Sequence, residues 1–215
     1  MLNVATLRVA GVDGTKSGWV AIVLKDGRFA SAHLIRRVDS DFGEVGEVAV
    51  LAIDVPIGFG PREADRAARR FLSGAARTVF TTPPRELLEQ PFGPGLRISA
   101  QAHALGARIL HVTALAAADA RIYEAHPEVS FRAMNGGEPL RHRKKSAGGA
   151  LQRIELLARQ GIDLGPLGEV GDVPLDDVLD AAAAAWTAQR IATGAAVCLP
   201  DPPELAGGRS VAIWY

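Results

Sequence analysis

The apolar positions fall into short β-branched runs at the start of the chain and into helical periodicities after about residue 60. Leu7 to Val12 and Gly18 to Leu24 are apolar runs separated by Asp13-Gly14-Thr15-Lys16-Ser17, which predicts two strands and a tight connection. Lys25-Asp26-Gly27-Arg28 carries the dipeptide most typical of a two-residue hairpin, so a third strand is expected over Phe29 to Ile35. The three strands should form an antiparallel meander. A polar connection from Asp39 to Glu47, with room for a short helix, leads into Val48-Ala49-Val50-Leu51-Ala52-Ile53-Asp54. That run does not alternate, the mark of a strand buried on both faces, and Pro56 and Gly58 end it.

Further on, Arg62 to Leu72 interleaves arginines, acids and alanines, as a partly exposed helix does. Thr78 to Pro94 is too rich in proline for a helix and is expected to be an extended surface loop. Ser99 to Ala118 places Leu105, Ile109, Val112 and Leu115 near one helical face, and Arg121 to Ala125 is a short strand halted by Pro127. Ser146 suits the N-cap of a helix that runs to Arg159 and closes at Gly161. Asp176 to Ala188 is an alanine-rich helix headed by three acids and preceded by Pro174, and Ser210 to Tyr215 is a last edge strand. The order predicts a single α/β domain: a mixed five-stranded sheet, three antiparallel strands and then parallel ones, flanked by helices.

Composition narrows the classes. A chain of 215 residues suits one domain with one core. Lys plus Arg and Asp plus Glu are both 24, so no global positive field draws the protein to nucleic acid and any such contact must be local. The single Cys198 excludes an internal disulfide, and without a CxxC pair a zinc cluster is not expected. No basic leader opens the sequence and no stretch reaches about 18 apolar residues, so a soluble, cytoplasmic protein with no membrane partner is expected.

Ligands of such sheets gather at the carboxyl ends of parallel strands. Asp13 ends the first strand and Asp54 the fourth, so if the two strands are parallel neighbours both carboxylates enter one cleft. Asp177 and Asp180, at i, i+3 on the late helix, are the natural third and fourth members, although an acidic first turn also explains them. Asp13-Gly14 has a plain turn reading, as Asp26-Gly27 does, whereas Asp54 lies between apolar runs where a buried ion needs a partner. Glu124 and Glu128 flank a strand end; Glu128 is a candidate metal ligand, but Pro127-Glu128 also reads as a first helical turn. His126 is read as a turn residue, and Trp19 and Trp186 as core. The basic run Arg141-His142-Arg143-Lys144-Lys145 is a solvated loop unless it borders an acidic cleft, where Arg143, Lys144, Lys145 and Arg153 would contact substrate phosphate. Carboxylates from separate elements suit hard cations, Mg²⁺ or Mn²⁺, and two such ions about 3.5 to 4 Å apart serve phosphodiester hydrolysis.

Gly11-Val12-Asp13-Gly14 with Gly18-Trp19-Val20, then Ile53-Asp54-Val55-Pro56-Ile57-Gly58, resemble signatures of the DUF429 family of predicted RNase H-like nucleases. The similarity continues in order through Arg69, Thr78-Val79-Phe80, Pro83-Pro84-Arg85 and Tyr123 to Phe131, then Lys144-Lys145, Gly149, Arg153 and Asp176 to Ala181. The resemblance implies an RNase H-like fold related to the Holliday-junction-resolvase branch. There a first-strand Asp, a fourth-strand acid and two late-helix acids hold divalent metal, places matched by Asp13, Asp54, Asp177 and Asp180. That branch commonly has Glu on the fourth strand, and Asp54 is one methylene shorter. A metal-dependent nuclease is the leading expectation, acting on nucleic acid or a small phosphorylated substrate. Asp13-Gly14-Thr15-Lys16-Ser17-Gly18 also faintly resembles the first phosphate loop of sugar-kinase and actin-like ATPases, making Lys16 a substrate-binding candidate. Those proteins hold nucleotide between two such domains. A non-catalytic binding module on the same fold is the other alternative.

Overall fold

The computed structural model describes residues 6–16, 18–93, 95–96, 98–206 and 208–215. The first five residues, part of the N-terminus read above as lacking a leader, and Ser17 of the loop resembling a phosphate loop lie outside them. In chain order the elements are β1 (Arg8–Thr15), β2 (Gly18–Lys25), β3 (Arg28–Ile35), β4 (Val50–Ile53), α1 (Glu63–Leu72), α2 (Arg85–Leu88), α3 (Ala100–Ala104), α4 (Gly106–Ala118), β5 (Ile122–Glu124), α5 (Pro127–Met134), α6 (Ala147–Arg159), α7 (Leu175–Ala192), β6 (Cys198–Ala206) and β7 (Arg209–Trp214). The main sheet has the order β3-β2-β1-β4-β5. Its first three strands are antiparallel, and β1 with β4 and β4 with β5 are parallel. The hairpin between β2 and β3 turns at Asp26 (φ 50°) and Gly27 (φ 78°), the left-handed pair that a two-residue turn of this twist requires.

Alternation along the strands sorts the core into two layers. Val9, Val50 and Ala52, with Val20 and Ile22, face α7 and the helices beside it, including Phe131 of α5 and Leu157 of α6. Ala10, Val12, Leu51 and Ile53, with Trp19 and Val23, face Ile109, Val112 and Ala116 of α4. Helix α7 lies directly on β1, and Gly11 is why: an added Cβ would sit 2.5 Å from the Ala184 carbonyl carbon, and closer still to Ala185 N and Ala181 O. The run Ala181-Ala182-Ala183-Ala184-Ala185 is buried throughout, so small residues on both elements set a short helix-to-sheet distance. Among the described residues no helix is long and apolar enough to cross a membrane.

Three sequence expectations change. The helix over Ser99 to Ala118 is two helices interrupted at Leu105, where Gly106 rests on the Leu88 side chain. The segment from Thr78 to Pro94 is not a plain surface loop: Val79, Thr82 and Leu88 are buried in it, and α2 starts immediately after Pro83-Pro84. The last strand does not stand alone at a sheet edge. β7 pairs with β6 in a separate two-stranded sheet and reaches the main sheet through one parallel bridge, Ala125 to Trp214. Pro200, Pro202 and Pro203 hid β6 from a reading of the pattern, since proline cannot donate to a ladder; the β6 and β7 register shifts between Leu199 and Glu204, across these prolines.

Candidate metal and active site

Strand register brings the first two acids together. Val12 pairs with Ile53 in the parallel β1–β4 ladder, and Asp54 N donates to Val12 O at 2.9 Å, so Asp13 and Asp54 are the next pair beyond it. By alternation both side chains lie on the α7 face with Gly11 and Ala52. Asp180 precedes Ala181 in the helical turn seated on Gly11, which aims it at the same point. Carboxylate oxygens of Asp13, Asp54 and Asp180 lie within 4.8 Å of one another. They lie beside a cleft of about 300 Å³ beyond the carboxyl ends of β1, β4 and β5, which Asp13, Asp54, Lys144 and His126 line and Phe80 and Leu105 wall.

The cluster is electrostatically strained. Asp13 accepts a 2.7 Å hydrogen bond from Gly14 N, yet burial and the neighbouring Asp54 and Asp180 hold its carboxyl well above the usual range. Burial pushes Asp54 to about 7 against the opposing pull of Lys144, with Glu124 and Glu128 adding to the rise. Asp180 also reaches about 7, through burial and Asp54, although Lys144 Nζ donates to its Oδ2. Its Oδ1 is buried and has no hydrogen-bond partner among the described residues. For Lys144, burial favours the neutral amine, but Asp180, Asp13 and Asp54 outweigh it and keep the ammonium charged.

These shifts predict a pH dependence. A carboxyl whose pKa is raised by folding stabilises the fold below its unfolded value, near 4, and that contribution is lost as pH rises through about 7. In chelator, the melting temperature should therefore fall between pH 5 and pH 8. Each unit of net rise is worth about 1.4 kcal/mol, or about 3 to 5 °C for a domain of this size. Asp54→Asn should flatten this fall, and an unchanged profile in that variant would refute the coupling.

The other candidates are placed differently. Asp177 stands three residues, about 4.5 Å of helix rise, outside Asp180 and is not in the close group, though its charge reaches Asp13. Glu124 pairs in register with Ile53, so alternation turns it to the opposite face from Asp54; there it accepts from Arg62 Nη1 at 2.5 Å and Nη2 at 2.8 Å and from Ile57 N at 2.7 Å. Glu128 is also outside the group, its Oε1 accepting from Arg153 Nη2 at 2.6 Å. Arg153 is 2% exposed, stacks on Phe131 and is paired with Glu128, and both line the inner wall of the groove that Arg143, Lys144 and Lys145 border. Lys16 is exposed at the β1–β2 turn and is not among the residues lining the cleft. Arg143, Lys144 and Lys145 do line one feature together, a groove of about 470 Å³ that shares Thr78 and Lys144 with the acidic cleft and adds Arg77, Arg132 and Arg141.

Two features of the cleft were missed. Arg62, Asp65 and Glu124 form a buried ion triad in its lining, for which the i, i+3 spacing of Arg62 and Asp65 was the available sign. Arg108 of α4 lines the cleft, stacks on Trp19 and donates to Thr15 O and Gly18 O, fixing the β1–β2 turn; nothing in an amphipathic helix pattern singles it out.

Fold and site define an α/β domain with a buried carboxylate cluster at the carboxyl ends of its parallel strands. The chain belongs to the family described as "Protein of unknown function (DUF429)", whose model matches residues 11–205. No curated protein and no solved structure matches it.

Proposed function

We propose that this protein is a Mg²⁺- or Mn²⁺-dependent nuclease of RNase H-like architecture, hydrolysing phosphodiester bonds at Asp13, Asp54 and Asp180. The observation that carries the reading is the convergence of these three carboxylates from β1, the end of β4 and α7. The donor set fits a hard cation. It is all oxygen, with neither Cys nor His in the group, and Asp180 Oδ1 is a buried acceptor lacking a donor among the described residues. Oxygens around one octahedral Mg²⁺ stand about 3 to 4 Å apart, so a spread of up to 4.8 Å needs only a small contraction. A bound cation would supply Lewis acidity to a phosphoryl oxygen and to the attacking water. The chain supplies the rest. Gly14 N–H orients Asp13, Phe80 and Leu105 limit water in the cleft, and the adjoining basic groove receives the phosphates flanking the scissile one. Support also comes from the mixed five-stranded sheet, antiparallel over its first three strands and parallel beyond them, which is compatible with the RNase H-like fold that the family resemblance implies.

The test is cleavage of single-stranded, duplex and branched DNA and RNA, with a phosphomonoester as control, in Mg²⁺ or Mn²⁺. Asp13→Asn, Asp54→Asn and Asp180→Asn should each lose roughly 100-fold or more, the scale of one lost electrostatic stabiliser. Binding shows independently of substrate: Mg²⁺ at tenfold excess over Kd stabilises by about 1.4 kcal/mol, a melting rise of about 3 to 5 °C. Asp54→Asn should abolish that rise and, by relieving repulsion, raise the metal-free melting temperature. A purely structural Asp54 would do the opposite, with a lower metal-free value and an intact Mg²⁺ increment.

A further inference from the structure

The basic loop does not face the groove alone. Its two consecutive lysines reach back to acids one helical turn apart on α7: Lys144 Nζ to Asp180 Oδ2, and Lys145 Nζ to Asp176 Oδ2 at 3.7 Å. The two contacts differ in kind. Lys145 is 85% exposed and its pair is a surface one of little energetic weight. Lys144 inserts its ammonium among three converging carboxylates and lies in both the acidic cleft and the basic groove. It thus supplies positive charge to the oxygens that a divalent cation would use.

The backbone carrying Lys144 is fixed. Arg143 O accepts from Ser146 N at 3.0 Å and from Ser146 Oγ at 2.8 Å, and the same carbonyl packs against Gly149 of α6 so closely that no Cβ would fit there. Ser146 Oγ in turn caps the helix through Gly149 N at 3.1 Å. The four-carbon lysine stem is free to rotate between its two neighbours while the loop stays in place.

We propose that the Lys144 ammonium and a divalent cation compete for Asp180 Oδ2, so that metal loading moves the lysine into the basic groove, where it takes a substrate phosphate. This rests on the metal-site reading above and assigns Lys144 as a substrate-binding residue that alternates between Asp180 and the phosphate. A doubly charged ion outcompetes a single ammonium among three carboxylates, and the displaced lysine has Arg77, Arg141 and Arg143 around it while Glu128 of the same groove is already paired with Arg153, a setting that a bound anion makes favourable. Metal and phosphate are therefore coupled: the cation frees the group that binds the anion, and the anion relieves the crowding of cations that the move creates.

Two experiments test this without turnover. In Mn²⁺ titration calorimetry, Lys144→Met keeps the stem, removes the competitor and should bind Mn²⁺ about tenfold more tightly than the unaltered protein. Lys144→Gln should do the same, while Lys145→Met should leave Kd unchanged. In the unaltered protein, acylation by an amine-reactive ester, read by mass spectrometry, should rise several-fold at Lys144 when Mn²⁺ is added and stay constant at exposed Lys25. If Lys144→Met binds Mn²⁺ with unchanged or weaker affinity, or Mn²⁺ protects Lys144 from acylation, the competition is refuted and the metal site stands. If no form binds Mn²⁺, both readings fall together.

Discussion

Arg62→Met is expected to destabilise the protein by about 3 to 5 kcal/mol, the cost of removing one partner from a buried ion network, and to lower the melting temperature by about 10 °C or more. Arg62 is 3% exposed, and five hydrogen bonds match its five N–H donors. They join α1 to Ile57 O in the loop after β4, to Asp65 within the helix and to Glu124 on β5. Asp65 Oδ2 also accepts from Thr82 N at 2.9 Å, which pins the wall of the cleft to the same node. Without the guanidinium, two carboxylates remain in a nearly dry site with only backbone donors. Arg62→Lys should recover only part of the loss, because an ammonium cannot serve two carboxylates and a carbonyl in one plane. Adding Asp65→Asn and Glu124→Gln to Arg62→Met should recover more of it. Urea unfolding decides the matter: a loss below about 1 kcal/mol for Arg62→Met, or no recovery in the triple variant, would show that charge burial is not what the arginine relieves.

The same node shows how far the sequence could be read. The strand run ending in Ile53-Asp54 marks a central strand, because it is apolar without alternation, and it puts Asp54 beside Asp13 on the condition that β1 and β4 are parallel neighbours, which their register meets. The fate of Glu124 was available by the same logic. Once β5 pairs in register with β4, Glu124 shares the side of Ile53 and cannot share the side of Asp54. A three-residue strand carries no register in its sequence, so Glu128 was the metal candidate while which of it and Glu124 joins the site stayed open. Arg153 is a candidate phosphate contact by its charge, while its pairing with Glu128, 25 residues away, is a tertiary contact that no local pattern encodes. β6 was lost to its prolines, and the break at Leu105 to the contact of the next residue, Gly106, with Leu88, 18 residues away.

The late helix was legible in composition but not in rotation. Asp177 and Asp180 are equivalent on a helical wheel of acids, and what separates them is the seat of α7 on β1, fixed by Gly11 against Ala181, Ala184 and Ala185. That seat turns Asp180 inward, where it is 4% exposed, and leaves Asp177 a turn further out. The five alanines explain the close approach, and the glycine opposite them decides which acid the approach delivers.

Gly11→Ala therefore tests fold and site together. The added methyl meets helix backbone rather than a flexible side chain, so α7 must retreat or β1 must bend. Overpacking a core with a single methylene commonly costs about 1 to 3 kcal/mol, and a clash with backbone at three atoms places the expected loss at or above the top of that range, a melting drop of about 6 to 12 °C. Asp180 travels with the helix. A displacement of about 1 Å is enough to cost roughly 100-fold in a catalytic arrangement, so the variant should lose its Mg²⁺-induced melting rise as well as its stability. Asp180→Glu, which extends the carboxylate by one methylene, should restore part of the Mg²⁺ increment in the Gly11→Ala background while leaving the lost stability unrecovered. If Gly11→Ala melts within about 2 °C of the unaltered protein with its Mg²⁺ rise intact, the spacing of α7 on β1 is not what sets the carboxylate cluster.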